Sequence, residues 1–159
     1  MDKIPFTSSG LEKIKSELNN LKKLERPNII QAIAVAREHG DLKENAEYHA
    51  AKDKQSFVEG RITELENVTS RAEVINLSKL SGKTVTFGTK VKIIDEENDQ
   101  ETVYQIVGPY EANLELGDIS IASPIAKALI GKDKGTSVSV STPGGPKHYE
   151  ILSIEIISK

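Results

Sequence analysis

The chain of 159 residues carries 21 basic and 24 acidic side chains, a formal net charge of −3, and 37% of its residues are hydrophobic. This composition excludes an intrinsically disordered chain, and the absence of cysteine excludes a disulfide scaffold or a thiolate metal site, so we expect one domain or two small ones. Residues 1–75 contain 12 basic and 13 acidic side chains, and the remainder contains 9 basic and 11 acidic ones. Neither half can therefore hold nucleic acid by phosphate neutralisation, so a partner would have to hold any nucleic acid on which the protein acts.

Residues 1–76 are predicted to form an antiparallel coiled-coil hairpin whose turn lies near Gly40. Apolar side chains recur at spacings of three and four on both sides of this glycine, the pattern of a narrow helical seam. The predicted seam consists of Leu11, Ile14, Leu18, Leu21, Ile30, Ile33 and Ala36, then Ala50, Phe57 or Val58, Ile62, Leu65, Val68 and Ala72. Because proline interrupts helix hydrogen bonding, Pro27 predicts a kink or a restart near residues 25–27. Arms of about 25–30 residues would be about 40 Å long.

Residues 83–159 are predicted to form a β-rich domain, joined to the hairpin by a small polar linker at 77–82. Turn signals separate six short β-like runs, at residues 83–87, 89–95, 101–107, 118–122, 136–141 and 148–157. One short helix interrupts these runs, with Ser123 as its N-cap, Pro124 as its first residue and Gly131 as its C-cap. The chain is therefore predicted to be an α+β protein with antiparallel strands and one helix packed on a face.

The predicted hairpin turn concentrates acidic and imidazole side chains. They are Glu38, His39, Asp41, Glu44, Glu47 and His49. Carboxylates on a protruding turn can bind Mg²⁺, which prefers oxygen ligands and often takes only one or two from the protein. If the second helix begins at Asp41, the three-residue spacing places Asp41 and Glu44 toward one point.

Two other interpretations of the turn stay open at this stage. Asp41 and Glu44 also match a capping box, in which an acidic N-cap and a glutamate three residues later satisfy the first N–H groups of a helix. His39 and His49 invite a zinc site, but their spacing of ten is not a helical ligand pair and no third nitrogen or sulfur ligand lies nearby. We interpret both histidines as solvated polar residues.

Four segments together carry a family resemblance. They are IPFTSSGLEKIKSEL at residues 4–18, AREHGDLKENAEYHAAK at 36–52, SPIAKALIGK at 123–132 and TPGG at 142–145. In their order and spacing the chain resembles, along essentially its whole length, the GreA/GreB family of bacterial transcript cleavage factors. The balanced charge of the hairpin fits the GreA type better than the GreB type, which has a larger basic patch there.

The resemblance implies an accessory factor of bacterial RNA polymerase. Its C-terminal FKBP-like domain would dock at the rim of the secondary channel, and the hairpin would enter that channel in backtracked complexes. Asp41 and Glu44 would then be the catalytic pair that holds a second Mg²⁺ jointly with the polymerase and positions the attacking water. The polymerase would cleave the nascent RNA near its 3′ end. Candidate contacts with RNA or polymerase are Arg37, Lys43, Asn45, Glu47, Tyr48 and Lys52.

The same resemblance carries expectations about activity and location. The factor would have no nuclease activity alone and would be a monomer. We expect it to act in the cytoplasm, because MDKIPFTSSG lacks the apolar core of a secretory signal and no run of 18 apolar residues predicts a membrane helix. The alternatives are a regulator of the same channel or a coiled-coil adaptor without cleavage activity, and a prolyl isomerase built on the FKBP-like domain.

Overall fold

A computed structural model of the chain describes residues 2–40 and 43–158. The chain divides into two compact units, a helical unit at Leu11–Arg71 and a β-rich unit formed by the segments up to Gly10 and from Ala72 onward. These bounds differ from the predicted division at residues 76 and 83. The N-terminal segment and the predicted linker at 77–82 both belong to the β-rich unit. Within the described ranges, no helix is long and apolar enough to cross a membrane.

The helical unit contains the predicted hairpin. The helices are α1 at Ser8–Asn20, which begins in the β-rich unit, a π-helical turn at Leu21–Glu25, α2 at Arg26–Arg37 and α3 at Ala46–Ser70. Arg26 pairs with Glu59, and nearer the turn Asn45 contacts Ala36, the order of partners expected of antiparallel helices. The helix does not restart here, because Glu25 and Arg26 keep right-handed helical backbone angles and no side chain caps α2. The irregularity that Pro27 predicts is instead the π-helical turn directly before α2.

The π-helical turn keeps the apolar seam in phase. Buried side chains of the first arm fall at Ile14, Leu21, Ile29 and Ala36, in steps of seven, eight and seven residues. In a continuous α-helix the step of eight would rotate the seam by about 80°, but a π-turn takes up one additional residue. The predicted seam residue Ile30 is therefore wrong, since it is 55% exposed and Ile29 is buried instead.

The β-rich unit contains one five-stranded sheet, and the predicted α+β class is confirmed. The strands are β3 at Thr89–Asp95, β4 at Glu101–Val107, β5 at Asp118–Ser120, β6 at Ser137–Thr142 and β7 at Gly145–Ile156, in the order β5-β4-β3-β7-β6. The sheet is mixed, because β5 pairs parallel to β4 while the other pairs are antiparallel. The parallel pair departs from the predicted antiparallel arrangement. The predicted strand at 83–87 forms only an isolated bridge, Thr84 with Asp133.

Two short strands were not predicted. Strand β1 at Ile4–Phe6 pairs parallel to β2 at Ala72–Val74, so the segment before α1 and the segment after α3 meet in the β-rich unit. Three-residue strands leave no detectable period in a sequence.

The core of the five-stranded sheet lies beneath the predicted short helix. This helix, α4 at Pro124–Leu129, has Ser123 as its N-cap, as predicted, and Gly131 beyond its end has a left-handed φ of 87°. Its fully buried residues Ala126 and Leu129 pack with side chains of the strands. The strand and loop members of this cluster are Val85, Val91, Ile93, Ile106, Ile119, Val138 and Ile151.

Candidate functional site at the hairpin turn

The turn between α2 and α3 is longer than a tight loop. The α2 helix ends at Arg37, and Gly40 has a φ of +100°, a left-handed conformation that favours glycine. The α3 helix begins at Ala46, so the condition under which Asp41 and Glu44 would share one helical turn, a helix start at Asp41, is not met. The predicted site residue Asp41 lies outside the described residues, as does Leu42.

Asn45 organises the described part of this turn. Its side-chain oxygen accepts a hydrogen bond from the N–H of Tyr48 at 3.0 Å, the interaction of an N-cap, and its Nδ2 donates to the carbonyl of Ala36 at 2.6 Å. The same amide therefore begins α3 and ties it to the last turn of α2. Asparagine is among the preferred N-cap residues, so the residue type at position 45 is itself a sequence signal for this role.

The predicted capping box is wrong for Glu44. In a capping box the glutamate is the third residue of the helix, but Glu44 precedes Asn45, the N-cap of α3. Glu44 is solvent-exposed, and none of the described residues makes a hydrogen bond or ion pair with it. Its carboxylate is therefore not needed to begin α3.

A shallow concavity surrounds this carboxylate. Its volume is about 400 Å³, and it is lined by His39, Glu44, Asn45, Ala46 and Glu47. The lining combines carboxylate oxygens, one imidazole and one amide on an open surface. Such a surface can add oxygen ligands to a metal or a partner that arrives from outside.

Both histidines of the turn have partners within the protein. His39 Nε2 lies 3.6 Å from a carboxylate oxygen of Glu47, and His49 Nε2 lies 2.9 Å from the carbonyl oxygen of Lys43. No group of three or more potential metal-ligating side chains occurs among the residues at 2–40 and 43–158. The described part of the turn thus offers separate donors and no closed ligand set.

The other predicted contact residues divide into two kinds. Glu47 and Tyr48 take part in the turn, because Glu47 pairs with His39 and the half-buried Tyr48 ring packs edge-on against His49 with centroids 5.6 Å apart. Arg37 and Lys52 are exposed, on the last turn of α2 and on α3, and Lys52 donates to Gln55 at 3.2 Å. The exposed Lys43 supplies the carbonyl that receives the His49 contact.

Comparison with known proteins covers nearly the whole chain. Residues 4–74 match a family described as transcription elongation factor, N-terminal, and residues 80–156 match transcription elongation factor, GreA/GreB, C-terminal. The transcription elongation factor GreA of Rhodospirillum rubrum is 59% identical over 97% of this chain and 98% of its own length. The transcription elongation factor GreA of Ruegeria pomeroyi is 62% identical over 98% of this chain and 99% of its own length. A crystal structure of GreA factor homolog 1 from Thermus thermophilus is 28% identical, covering 96% of this chain and 99% of its own, with a TM-score of 0.45.

Proposed function

This chain belongs to the GreA/GreB family of transcription elongation factors, and from that membership we propose that it stimulates cleavage of backtracked RNA by bacterial RNA polymerase. The hairpin turn presents Asp41 and Glu44 to the polymerase active centre. The polymerase performs the hydrolysis, releases a short 3′ fragment and resumes elongation from a paired RNA end. The purified factor has no nuclease activity of its own.

The exposed carboxylate of Glu44 is the observation that carries this proposal. Asn45 caps α3 and ties it to α2, so the turn keeps its form without any contribution from the Glu44 side chain. A carboxylate that no described residue engages, at the bend of a helical hairpin, is available to a partner. Capping was the main structural explanation for an acidic residue here, and for Glu44 the position of α3 removes it.

The residues of the turn fit a magnesium ion that is shared with a partner. Mg²⁺ is commonly held by one or two protein carboxylates together with water or substrate oxygens, which matches Glu44 and Asp41 better than a closed protein site. When bound between factor and polymerase, a second Mg²⁺ would supply Lewis-acid activation of the attacking water. Glu44 contributes an anionic oxygen, and its neighbour Asn45 fixes the backbone from which that oxygen projects.

The charge and length of the helices suit an accessory factor. The region before residue 76 has 12 basic and 13 acidic side chains, so the polymerase must hold the RNA. The 25 residues of α3 span about 38 Å at about 1.5 Å per residue, which gives the turn its reach. A protein that contributes ligands to the active centre of another enzyme needs reach more than affinity for nucleic acid.

A reconstituted backtracked elongation complex tests the proposal. Wild-type protein should shorten the RNA from its 3′ end, and the variant with Asp41→Asn and Glu44→Gln should bind the polymerase but lose at least about 100-fold in cleavage rate, as when a charged group at a reaction centre is removed. Glu12→Gln neutralises a single carboxylate of the same kind on α1, away from the turn, and should behave as wild type. Raising the Mg²⁺ concentration should partly rescue the double variant, because its defect lies in holding the ion.

Three results would contradict the proposal. The first is an active double variant, which would indicate an adaptor that is indifferent to charge at the turn. The second is a wild-type protein that binds the polymerase without shortening the RNA, which would indicate a regulator of the channel. The third is robust RNA cleavage by the purified factor without polymerase.

A further inference from the structure

The loop between β4 and β5 packs against the segment that leads into α1. Within the β-rich unit, the rings of Phe6 and Tyr110 stack with centroids 6.5 Å apart. One residue further along each segment, the fully buried Thr7 meets the carboxylate of Glu111. The Thr7 N–H donates to Glu111 Oε2 at 2.9 Å, and the Thr7 hydroxyl donates to Oε1.

Thr7 is the N-cap of α1. The helix begins at Ser8, and the N–H of Gly10, its third residue, donates to Thr7 Oγ1 at 3.1 Å. This contact is one half of a capping box. In the other half, a glutamate at the third helical position accepts the N–H of the N-cap residue. Here that position is Gly10, which has no side chain to do so.

Glu111 supplies the missing half from 104 residues away in the chain. Its carboxylate accepts the Thr7 N–H, the bond that a glutamate at position 10 would otherwise make. A Cβ atom built on Gly10 would overlap the Cγ, Cδ and Oε1 atoms of Glu111, so the absence of a side chain is what admits the remote carboxylate. The capping box of α1 is thus completed by a residue that is distant in the sequence of the same chain.

We propose that Glu111 is a positioning residue for the cleavage function, tying the first turn of α1 to the β4–β5 loop. This inference rests on the function proposed above. A glutamate at position 10 would cap α1 locally with the same chemistry, so a cap alone does not require a partner from the sheet. The remote cap additionally holds the first turn of α1 against the β4–β5 loop within the β-rich unit, and from there α1 continues along the chain into the helical unit.

Three variants separate a tie from a simple cap. Glu111→Ala removes the remote carboxylate, and Gly10→Ala displaces it sterically, although alanine ordinarily stabilises a helix relative to glycine. The paired variant Gly10→Glu with Glu111→Ala moves the carboxylate to position 10 and restores a local capping box. Glu115→Ala, an exposed acidic residue of the same loop, is the matched control. Each protein is measured by amide hydrogen exchange at Thr7 and Gly10 and by RNA shortening in the backtracked complex.

The proposal makes a distinct prediction for each variant. Glu111→Ala and Gly10→Ala should exchange about 5–10-fold faster at Thr7 and Gly10, the range of a lost cap, and should cleave about 10-fold more slowly at limiting factor concentration. The paired variant should regain protection to within about 2-fold but remain slow in cleavage. The Glu115→Ala control should match wild type in both measurements.

Other outcomes would overturn the proposal. If the paired variant regains both protection and cleavage, Glu111 is only a cap. If Glu111→Ala stimulates cleavage as fast as wild type, the contact between Thr7 and Glu111 has no part in the function. This measurement alone tests the positioning role if the paired variant does not regain protection from exchange. A wild-type protein that does not stimulate cleavage overturns the proposed function and the positioning role with it, while exchange at Thr7 still decides whether Glu111 completes the cap.

Discussion

Replacing Asn45 by alanine should destabilise the hairpin turn by about 2 kcal/mol. The substitution removes the N-cap bond to the Tyr48 N–H, worth about 1 kcal/mol. It also removes the 2.6 Å bond from Nδ2 to the Ala36 carbonyl, worth about another 1 kcal/mol. Both bonds are partly buried, so water compensates for them only in part.

Asn45→Asp is the matched control for this substitution. Aspartate keeps the acceptor for the Tyr48 N–H and adds a negative charge at the start of α3, a favourable term of about 0.3–1 kcal/mol. It cannot donate to the Ala36 carbonyl, so that bond of about 1 kcal/mol is lost. The net change should stay within about 1 kcal/mol, well below the cost of alanine.

Hydrogen exchange at the Tyr48 amide measures the difference directly, because that N–H is the one Asn45 caps. About 2 kcal/mol corresponds to about 30-fold faster exchange in Asn45→Ala, whereas Asn45→Asp should remain within about 5-fold of wild type. Cleavage stimulation should fall in the same order, since Asn45 fixes the backbone that carries Glu44. Equal protection of Tyr48 in wild type and Asn45→Ala would refute the assignment of Asn45 as the N-cap that orders the turn.

Three further predictions concern the rest of the chain. The hydrogen bond from Arg26 lowers the pKa of Glu59 below its ordinary value of 4.5. This pair should therefore stabilise the hairpin above pH 4.5 and lose its effect as the pH falls through the lowered pKa. Acid titration of thermal stability should show this component in wild type and not in Glu59→Gln. Deleting Lys23 should convert the π-turn to α-helix and preserve the apolar seam, whereas deleting the exposed Ala32 should rotate the buried residues on either side out of phase. Thermal melts followed by circular dichroism should therefore show a much larger loss of stability for the second deletion. A Cβ at Gly108 would meet the backbone carbonyl of strand β1, so Gly108→Ala should cost about 1–3 kcal/mol in urea unfolding, and an unchanged midpoint would contradict the close approach.

Local patterns accounted for much of the helical unit and of the sheet. Apolar spacing indicated the two arms, Pro27 indicated an irregularity, which the structure has as the π-helical turn just before it, and Ser123 with Pro124 indicated the start of α4. Each of these signals acts within about one helical turn, so it can be read from a short window of sequence.

The errors arose where two local solutions competed. Ile29 and Ile30 are equally apolar, and only the additional residue accommodated by the π-turn decides that Ile29 is buried. At the hairpin turn, Asp41 and Asn45 were both acceptable N-caps by residue type, and the structure begins α3 after Asn45. This choice places Glu44 outside the helix, which is the reason that its carboxylate is available to a partner.

By itself, the sequence determined the α+β class, a hairpin with an acidic bend, and the motifs by which the chain belongs to its family. Tertiary structure alone decided which distant segments meet, namely β1 with β2 and Thr7 with Glu111. Helix periods and caps are short-range effects that are written in consecutive residues. A three-residue strand or a remote carboxylate leaves no such pattern, because its partner lies about 70 to 100 residues away and is selected only when the chain folds.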